Sequence, residues 1–216
     1  MAPILYMLPP CPPVRAVLMT AKELGLELEL RKCNILNKEQ YTEEYLKMNP
    51  SHTIPTLDDD GFYIFESAAI MGYLVGKYGK NDSLYPREFK KRALVDQLLH
   101  FSTQSFATFV TISRPIILAA AKKESITEDN KNRLLGNVEV LEKILGLENK
   151  FVGGDNLTIA DFSFVAWVSS LNVMYPITED RFPNVIRWWK RMEKLPSYQE
   201  NNEGLTQYKG IWAARE

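Results

Sequence analysis

Two cysteines and two histidines are all that the 216 residues contain, and this scarcity removes several chemistries at once. Cys11 and Cys33 are too few for a disulfide scaffold, and so little cysteine use suits a reducing, cytoplasmic setting. His52 and His100 have no Cys or carboxylate cluster at ligand spacing around them, so no metal site is read. Charge of one sign is also missing. With 26 Lys and Arg against 27 Asp and Glu, the net charge of −1 gives no electrostatic reason to expect nucleic acid or an anionic membrane. Lys90-Lys91-Arg92 and Lys122-Lys123 are short enough to be solvated helix faces. No apolar run approaches a membrane span, and Met1-Ala2-Pro3 opens without a basic region and apolar core, so no signal peptide is expected. Gly153-Gly154 does not follow a strand, which removes the phosphate loop. No nucleophile elbow supports a Ser–His–Asp hydrolase.

What is present is ordinary globular material, 45% apolar and 25% charged, enough for one large domain or two modest ones. The first half alternates strand-like and helix-like segments. Ile4-Leu5-Tyr6-Met7 reads as a strand, and Val14, Val17, Leu18 and Ala21 mark the buried face of a helix that stops at Gly25. Leu26, Leu28 and Leu30 alternate with charged residues, the period of a half-buried strand. Thr42 can cap a short helix that carries Glu43 and Glu44 in its first turn. Ile54–Leu57 and Phe62–Phe65 flank Asp58-Asp59-Asp60-Gly61, a hairpin signal, and a third helix follows Glu66-Ser67. The order βαβ, then α, then ββα predicts a mixed sheet covered by helices that ends near residue 80.

Beyond Leu84-Tyr85-Pro86 the strand period disappears. Residues 87 to about 122 read as one long helix with a kink or break at Pro115, and Thr127 to about Leu147 as a second. Thr158-Ile159-Ala160-Asp161 is a capping box with Asp in place of Glu, flanked by Leu157 and Phe162 at the staple positions. A helix from Pro183 to Leu195 ends at Pro196, and the tail beyond Glu203 shows little periodicity.

Three places carry chemistry. Cys11 sits at a strand-to-helix junction, where the positive end of a helix favours a thiolate. Pro12 and Pro13 suit the helix opening but remove two possible donors to the sulfur; equally, Cys is a common buried residue. Ser67, read as an N-cap, leaves backbone N–H groups free for a carboxylate, and Glu66 beside it can grip an ammonium group; ordinary capping with an incidental Glu is the alternative. Ile54-Pro55 opens a strand either as an edge proline or as a cis bond that presents its neighbours' backbone to an extended peptide ligand.

Asn49-Pro50-Ser51-His52-Thr53-Ile54-Pro55-Thr56-Leu57 followed by Phe65-Glu66-Ser67-Ala68-Ala69-Ile70 resembles the glutathione site of a cytosolic glutathione transferase. Pro12-Pro13-Val14-Arg15, Lys91-Arg92-Ala93-Leu94-Val95-Asp96-Gln97 and Leu157–Phe162 resemble the insect delta and epsilon classes in particular. The resemblance implies an α/β thioredoxin-like N-terminal domain of order βαβ-α-ββα (residues 1–81), a linker (82–88), and an all-α C-terminal domain (89–216) that supplies the hydrophobic substrate pocket. It implies a cytoplasmic homodimer that uses glutathione as co-substrate, with no other cofactor, to detoxify small hydrophobic electrophiles. Ile54, before a cis Pro55, pairs its backbone with the cysteinyl part of glutathione. Glu66 and Ser67 hold the γ-glutamyl head and His52 the glycine end, with Thr53, Gln40 and Ala68 at the same site. Leu8, Phe106, Phe109, Val110, Thr111, Arg114 and Tyr208 are candidates for the electrophile pocket, with Trp212 as a further lid.

Three positions depart from the family pattern. Cys11 replaces the usual catalytic serine, Gln40 replaces a histidine within Asn37-Lys38-Glu39-Gln40, and Ala68 replaces an Arg or His. With Cys11 as activator, its S–H is a weaker donor than a serine hydroxyl. With Cys11 as nucleophile, the chain is a glutathione-dependent thiol–disulfide oxidoreductase, although Cys11-Pro12-Pro13-Val14 lacks the second thiol of a C-x-x-C. A non-catalytic carrier of apolar ligands on the same fold is the third reading. Tyr6, inside a strand, is a weaker candidate for sulfur activation, and Cys33 reads as core.

Overall fold

Residues 2–118 and 126–214 are described by the structure, a computed structural model. β1 (Ile4–Met7) is the centre of a four-stranded sheet of order β2-β1-β3-β4, with β2 at Glu29–Lys32, β3 at Thr56–Asp59 and β4 at Phe62–Phe65. β1 runs parallel to β2 and antiparallel to β3, with Ile4 opposite Asp58 and Tyr6 opposite Thr56. The parallel pair needs a crossover, supplied by α1 (Pro12–Leu24), which ends on Gly25 in the left-handed conformation (φ 66°). The hairpin turns on Asp60 and Gly61, both at positive φ (57° and 83°), the requirement of a tight type I′ turn. α2 (Glu43–Met48) is capped by Thr42, whose side chain accepts from the Tyr45 N–H. α3 (Ser67–Tyr78) follows β4.

Period-two alternation sorts the sheet's two faces. Leu5, Met7 and Leu57 point into the main core with Val14, Val17, Ile70, Met71 and Leu74 of α1 and α3. Tyr6 points the other way, into a small cluster of Cys33, Tyr45 and Met48 beneath α2. Cys33 is therefore core, as its sequence position predicts.

The strands all lie within residues 4–65, and only helices follow: α4 (Phe89–Ile117), α5 (Glu128–Leu145), α6 (Ile159–Met174), α7 (Pro183–Met192) and α8 (Tyr198–Ala213). Buried Val165, Val168 and Leu171 make α6 the apolar centre. α1 packs simultaneously on α3, α6 and α8, so one helix joins the sheet to the helical half. Asp161 closes the predicted capping box and also accepts from the Val152 N–H and the Trp188 indole (both 2.9 Å). With the Thr158 N–H and hydroxyl it has four donors, yet it is still pushed from 3.8 to about 6, because desolvation outweighs them.

Several expectations are corrected. The strand read over Leu26–Leu30 is only Glu29–Lys32, and Leu30 is 51% exposed. β2 is an edge strand, and all four of its residues are exposed. α7 stops at Met192 rather than Leu195, α5 at Leu145 rather than Leu147, and α4 two residues past Pro115. The far end of the expected 87–122 helix, with Lys122-Lys123, lies outside the described residues. The tail read as aperiodic is helix α8. Its contacts lie on both α1 and α6, so buried positions such as Asn201, Gly204, Leu205, Tyr208 and Trp212 mix polar, small and aromatic residues instead of forming one apolar stripe.

Candidate active site

The mouth of α1 opens onto a cleft of about 160 Å³. One wall is Pro12, Pro13 and Ala16, a second is Thr53, Ile54 and Pro55, and a third is Glu66 and Ser67. The helical half contributes Thr103 and Phe106 from α4, and Ser163 and Trp167 from α6. Five segments, spread from residue 12 to residue 167, thus meet at one place, including three of the motifs singled out in the sequence.

Cys11 is the N-cap of α1, with its own N–H bonded to the Leu8 carbonyl (3.1 Å). Cys11 is half-buried and directly precedes the Pro12–Pro13 wall without itself lining the cleft, and its side chain makes no capping hydrogen bond. With prolines at the first two helical positions, Val14 is the first residue with a donor to offer. Burial pushes the Cys11 thiol up to about 11, and the Val14 N–H and the Arg15 charge offset only part of that. Burial therefore favours the protonated thiol at neutral pH. The sequence argument from helix polarity therefore gives way to desolvation, and Cys11 is an S–H group.

Thr53–Pro55 are held from beneath by residues that pattern reading did not single out. The buried Asn49 side chain donates to the Thr53 carbonyl (3.0 Å) and to Thr56 Oγ1 (2.9 Å), and Tyr45 donates its hydroxyl to the Thr53 carbonyl (2.6 Å). The Ile54–Pro55 bond is cis. The signal available in the sequence was Asn49 itself, a polar residue directly before Pro50 that the fold buries completely.

Glu66, not Ser67, is the N-cap of α3; Ser67 is the first helical residue. Glu66 adopts φ 68° and ψ 111°, strained for a side chain with a Cβ. Glu66 and Ser67 both line the cleft, which places the N-terminus of α3 at its edge.

The other predicted residues divide. Phe106 lines the cleft, while Leu8 and Val110 are half-buried near it in sequence and Thr111 and Arg114 are exposed on α4. Phe109 and Tyr208 are 1% and 4% exposed and face one another with ring centroids 6.3 Å apart. Trp212 is also buried. Gln40 is buried and turns its amide toward the Ile35 carbonyl (3.4 Å), away from the cleft wall. The exposed Tyr41 stacks on His52 instead (4.7 Å between centroids). Ala68 is half-buried behind Ser67. Tyr6 receives Arg31 on its hydroxyl (3.2 Å) on the other side of the sheet. Trp167 and Ser163, which the sequence argument missed, are joined through Ser102: the indole donates to Ser102 Oγ (3.1 Å), which pairs with Ser163 Oγ (2.8 Å). Nothing in their local pattern separates them from the apolar run of α6.

Residues 5–82 match the family model of the glutathione S-transferase N-terminal domain, and residues 102–196 that of the C-terminal domain. Glutathione S-transferase D7 of Anopheles gambiae is 36% identical over 207 residues, spanning 94% of this chain and 93% of its own. Among solved structures, glutathione S-transferase isozyme E7 of Drosophila melanogaster is similar at a TM-score of 0.94 and 42% identity, over 99% of this chain and 96% of that one. A Drosophila mojavensis homolog with bound glutathione reaches a TM-score of 0.94 at 39% identity, over 99% and 97% of the two chains.

Proposed function

Because this chain belongs to the glutathione S-transferase family, we propose that it joins the thiol of reduced glutathione to small hydrophobic electrophiles, the chemistry of detoxification. The observation that carries the reading is the convergence of Thr53–Pro55, Glu66–Ser67 and the start of α1 on one cleft with apolar Phe106 and Trp167 opposite. In this reading Glu66 and Ser67 take the charged γ-glutamyl end, the Ile54 backbone the cysteinyl residue, and His52 the glycyl end. Phe106, Val110, Thr111 and Arg114 border the electrophile. Residues 1–81 act as the glutathione-binding domain, 82–88 as the linker and 89–216 as the helical domain. The working unit is a cytoplasmic homodimer.

The chemical step asks little covalent work of the protein. Glutathione's thiol loses its proton to water; its sulfur then forms a bond to the electrophilic carbon, and the leaving group departs with the electrons of the broken bond. Lowering a thiol from about 8.5 to about 6.5 requires roughly 2.7 kcal/mol of preferential anion stabilisation. A protonated Cys11 donates its S–H to that anion, and the α1 terminus adds a positive dipole. A Cys11 held as S–H also escapes the repulsion that two neighbouring thiolates would suffer.

The oxidoreductase reading needs the opposite protonation state of Cys11, which burial disfavours. The carrier reading draws on Gln40, turned inward, and on Ala68, both of which weaken the grip on glutathione.

The deciding experiment is conjugation of glutathione to a chlorinated nitroaromatic by wild type and Cys11→Ser. Turnover by wild type that is kept or raised in Cys11→Ser supports the activator role. Activity confined to disulfide substrates, with a glutathione adduct on Cys11 that Cys11→Ser abolishes, overturns it in favour of thiol exchange. Binding of apolar ligands without turnover by either protein leaves the carrier.

A further inference from the structure

A second cavity, of about 320 Å³, lies where α3 ends and α4 begins, and it shares no lining residue with the cleft at α1. Its walls come from the end of α3, from residues within 79–87, and from Arg92 at the start of α4. Gly76 forms part of the α3 wall, and packing does not require a glycine there. A Cβ at Gly72 would meet the Tyr85 ring at 2.8 Å, and one at Gly79 would meet the Val75 carbonyl. One at Gly76 meets nothing within 4 Å. Glycine is a poor helix former, so the consequence of the missing side chain at Gly76 is an open cavity.

The cavity is rich in donors and in positive charge. Lys80, Arg87 and Arg92 line it against a single carboxylate, Asp82, and none of the three cations forms an ion pair among the described residues. Arg92 is fixed by neutral groups: Nε donates to the Pro86 carbonyl, Nη2 to the Tyr85 carbonyl (3.0 Å), and the guanidinium lies 3.5 Å over the Tyr85 ring. Tyr85 is held in turn by Asp96, which accepts from its hydroxyl (2.7 Å). Asn81 Oδ1 accepts from the Ser83 N–H (3.0 Å) and hydroxyl (2.6 Å), which leaves its NH₂ to donate. Asp82 is already engaged. Its carboxylate accepts from the Arg87 N–H (2.8 Å), and that bond, with the nearby Arg87 and Arg92 charges, holds it below the usual carboxylate range.

We propose that this cavity is a second binding site, for a small polyanion carrying a phosphoryl group, held by Lys80, Arg87, Arg92 and the Asn81 amide. A phosphoryl group offers up to two negative charges and three acceptor oxygens. Two guanidinium groups, an ammonium and an amide match that better than they match the two oxygens of one carboxylate. Lys80 and Arg87 are exposed, so they turn to a ligand without abandoning a buried partner. The ligand joins the end of α3 to the start of α4, at the junction of the sheet and the helical half. The site stands whether or not the chain conjugates glutathione.

Calorimetric titration of the full chain with pyrophosphate and with citrate, at constant ionic strength, tests this. Pyrophosphate should bind saturably and more tightly than citrate. Gly76→Leu fills the cavity from the α3 side, and should weaken pyrophosphate binding by about tenfold or more. The thermal midpoint of the ligand-free variant should hold or rise, because leucine favours the helix. The double variant Lys80→Gln/Arg87→Gln should weaken binding roughly ten- to a hundredfold, and it carries the test should Gly76→Leu not fold. Saturating glutathione should leave the affinity for pyrophosphate unchanged, since the two cavities share no residue. Three results overturn the site: no saturable binding to wild type up to about 10 mM, equal affinity in wild type and the variants, or displacement of pyrophosphate by glutathione. Citrate bound as tightly as pyrophosphate overturns the phosphoryl assignment.

Discussion

Gly204 allows the packing argument to be tested against helix propensity, because the two predict opposite signs. It lies inside α8, where alanine is better than glycine by about 1 kcal/mol. A Cβ at Gly204, however, meets Arg15 Cδ at 2.5 Å and Cγ at 2.9 Å and overlaps the Pro9 carbonyl oxygen. Carbon atoms rest comfortably at about 3.5–4.0 Å, so something must move by about 1 Å. Neither neighbour gives easily: Pro9 is backbone two residues before Cys11, and Arg15 is pinned by Asn201, Ser169 and Ser170. Overpacking of this kind costs about 1–3 kcal/mol, and loosening hydrogen bonds to a buried charge adds about 1.5–3 kcal/mol. After the propensity gain, Gly204→Ala should destabilise by roughly 1.5–5 kcal/mol. Gly210, in the same helix, has nothing within 4 Å of its would-be Cβ, so Gly210→Ala should instead stabilise by up to about 1 kcal/mol. Urea unfolding of the two variants with unchanged m-values reads both numbers. Conjugation should also fall in Gly204→Ala, because the strain lands on the loop that carries Cys11. If both variants are stabilised alike, α8 does not grip the α1 mouth as described.

Asp161→Asn turns one carboxylate oxygen into an NH₂ facing buried donors, and should cost about 2–5 kcal/mol in chemical denaturation. Asp161 is raised from 3.8 to about 6 on folding, so its protonation stabilises the fold fully below about pH 4 and is lost as pH rises through 6. The wild-type advantage over the variant should therefore shrink by roughly 3 kcal/mol across that window; a constant gap would show Asp161 ionised throughout. Ser67→Ala should raise the glutathione KM by roughly 10- to 100-fold with kcat little changed, the signature of lost uniform binding, and an unaltered KM would remove Ser67 from the site. Alkylation of Cys11 in the free protein should climb steadily with pH and show no plateau below about pH 10, since burial holds the thiol near 11; a plateau near neutrality would restore the nucleophile reading.

Much of this protein was legible in the chain because it is local physics. Alternation in Ile4–Met7, the apolar face of Val14–Ala21, the Asp60–Gly61 turn and the Thr158–Asp161 box each depend on neighbours within a few residues, and each stands as read. Ile54–Pro55 and Glu66–Ser67 were also visible as candidates, and the fold brings them to one cleft just after Cys11. What sequence could not settle is whatever depends on how much water is left at a site. Cys11 at a helix start suggested a thiolate, and burial by distant segments made it a thiol. Gln40 was placed at the glycyl contact, and the fold turns it inward and leaves Tyr41 on His52. Phe109 and Tyr208 were drawn toward the electrophile, and the structure packs their tilted rings against one another in the core. The α8 helix hid because its buried face is polar, small and aromatic by turns, matched to Arg15 and Pro9 instead of to a uniform apolar surface. Local spacing thus determined most of the elements and marked the candidate residues. The tertiary structure alone decided how deeply each is buried and what it packs against, because those follow from desolvation and packing between segments that the sequence keeps far apart.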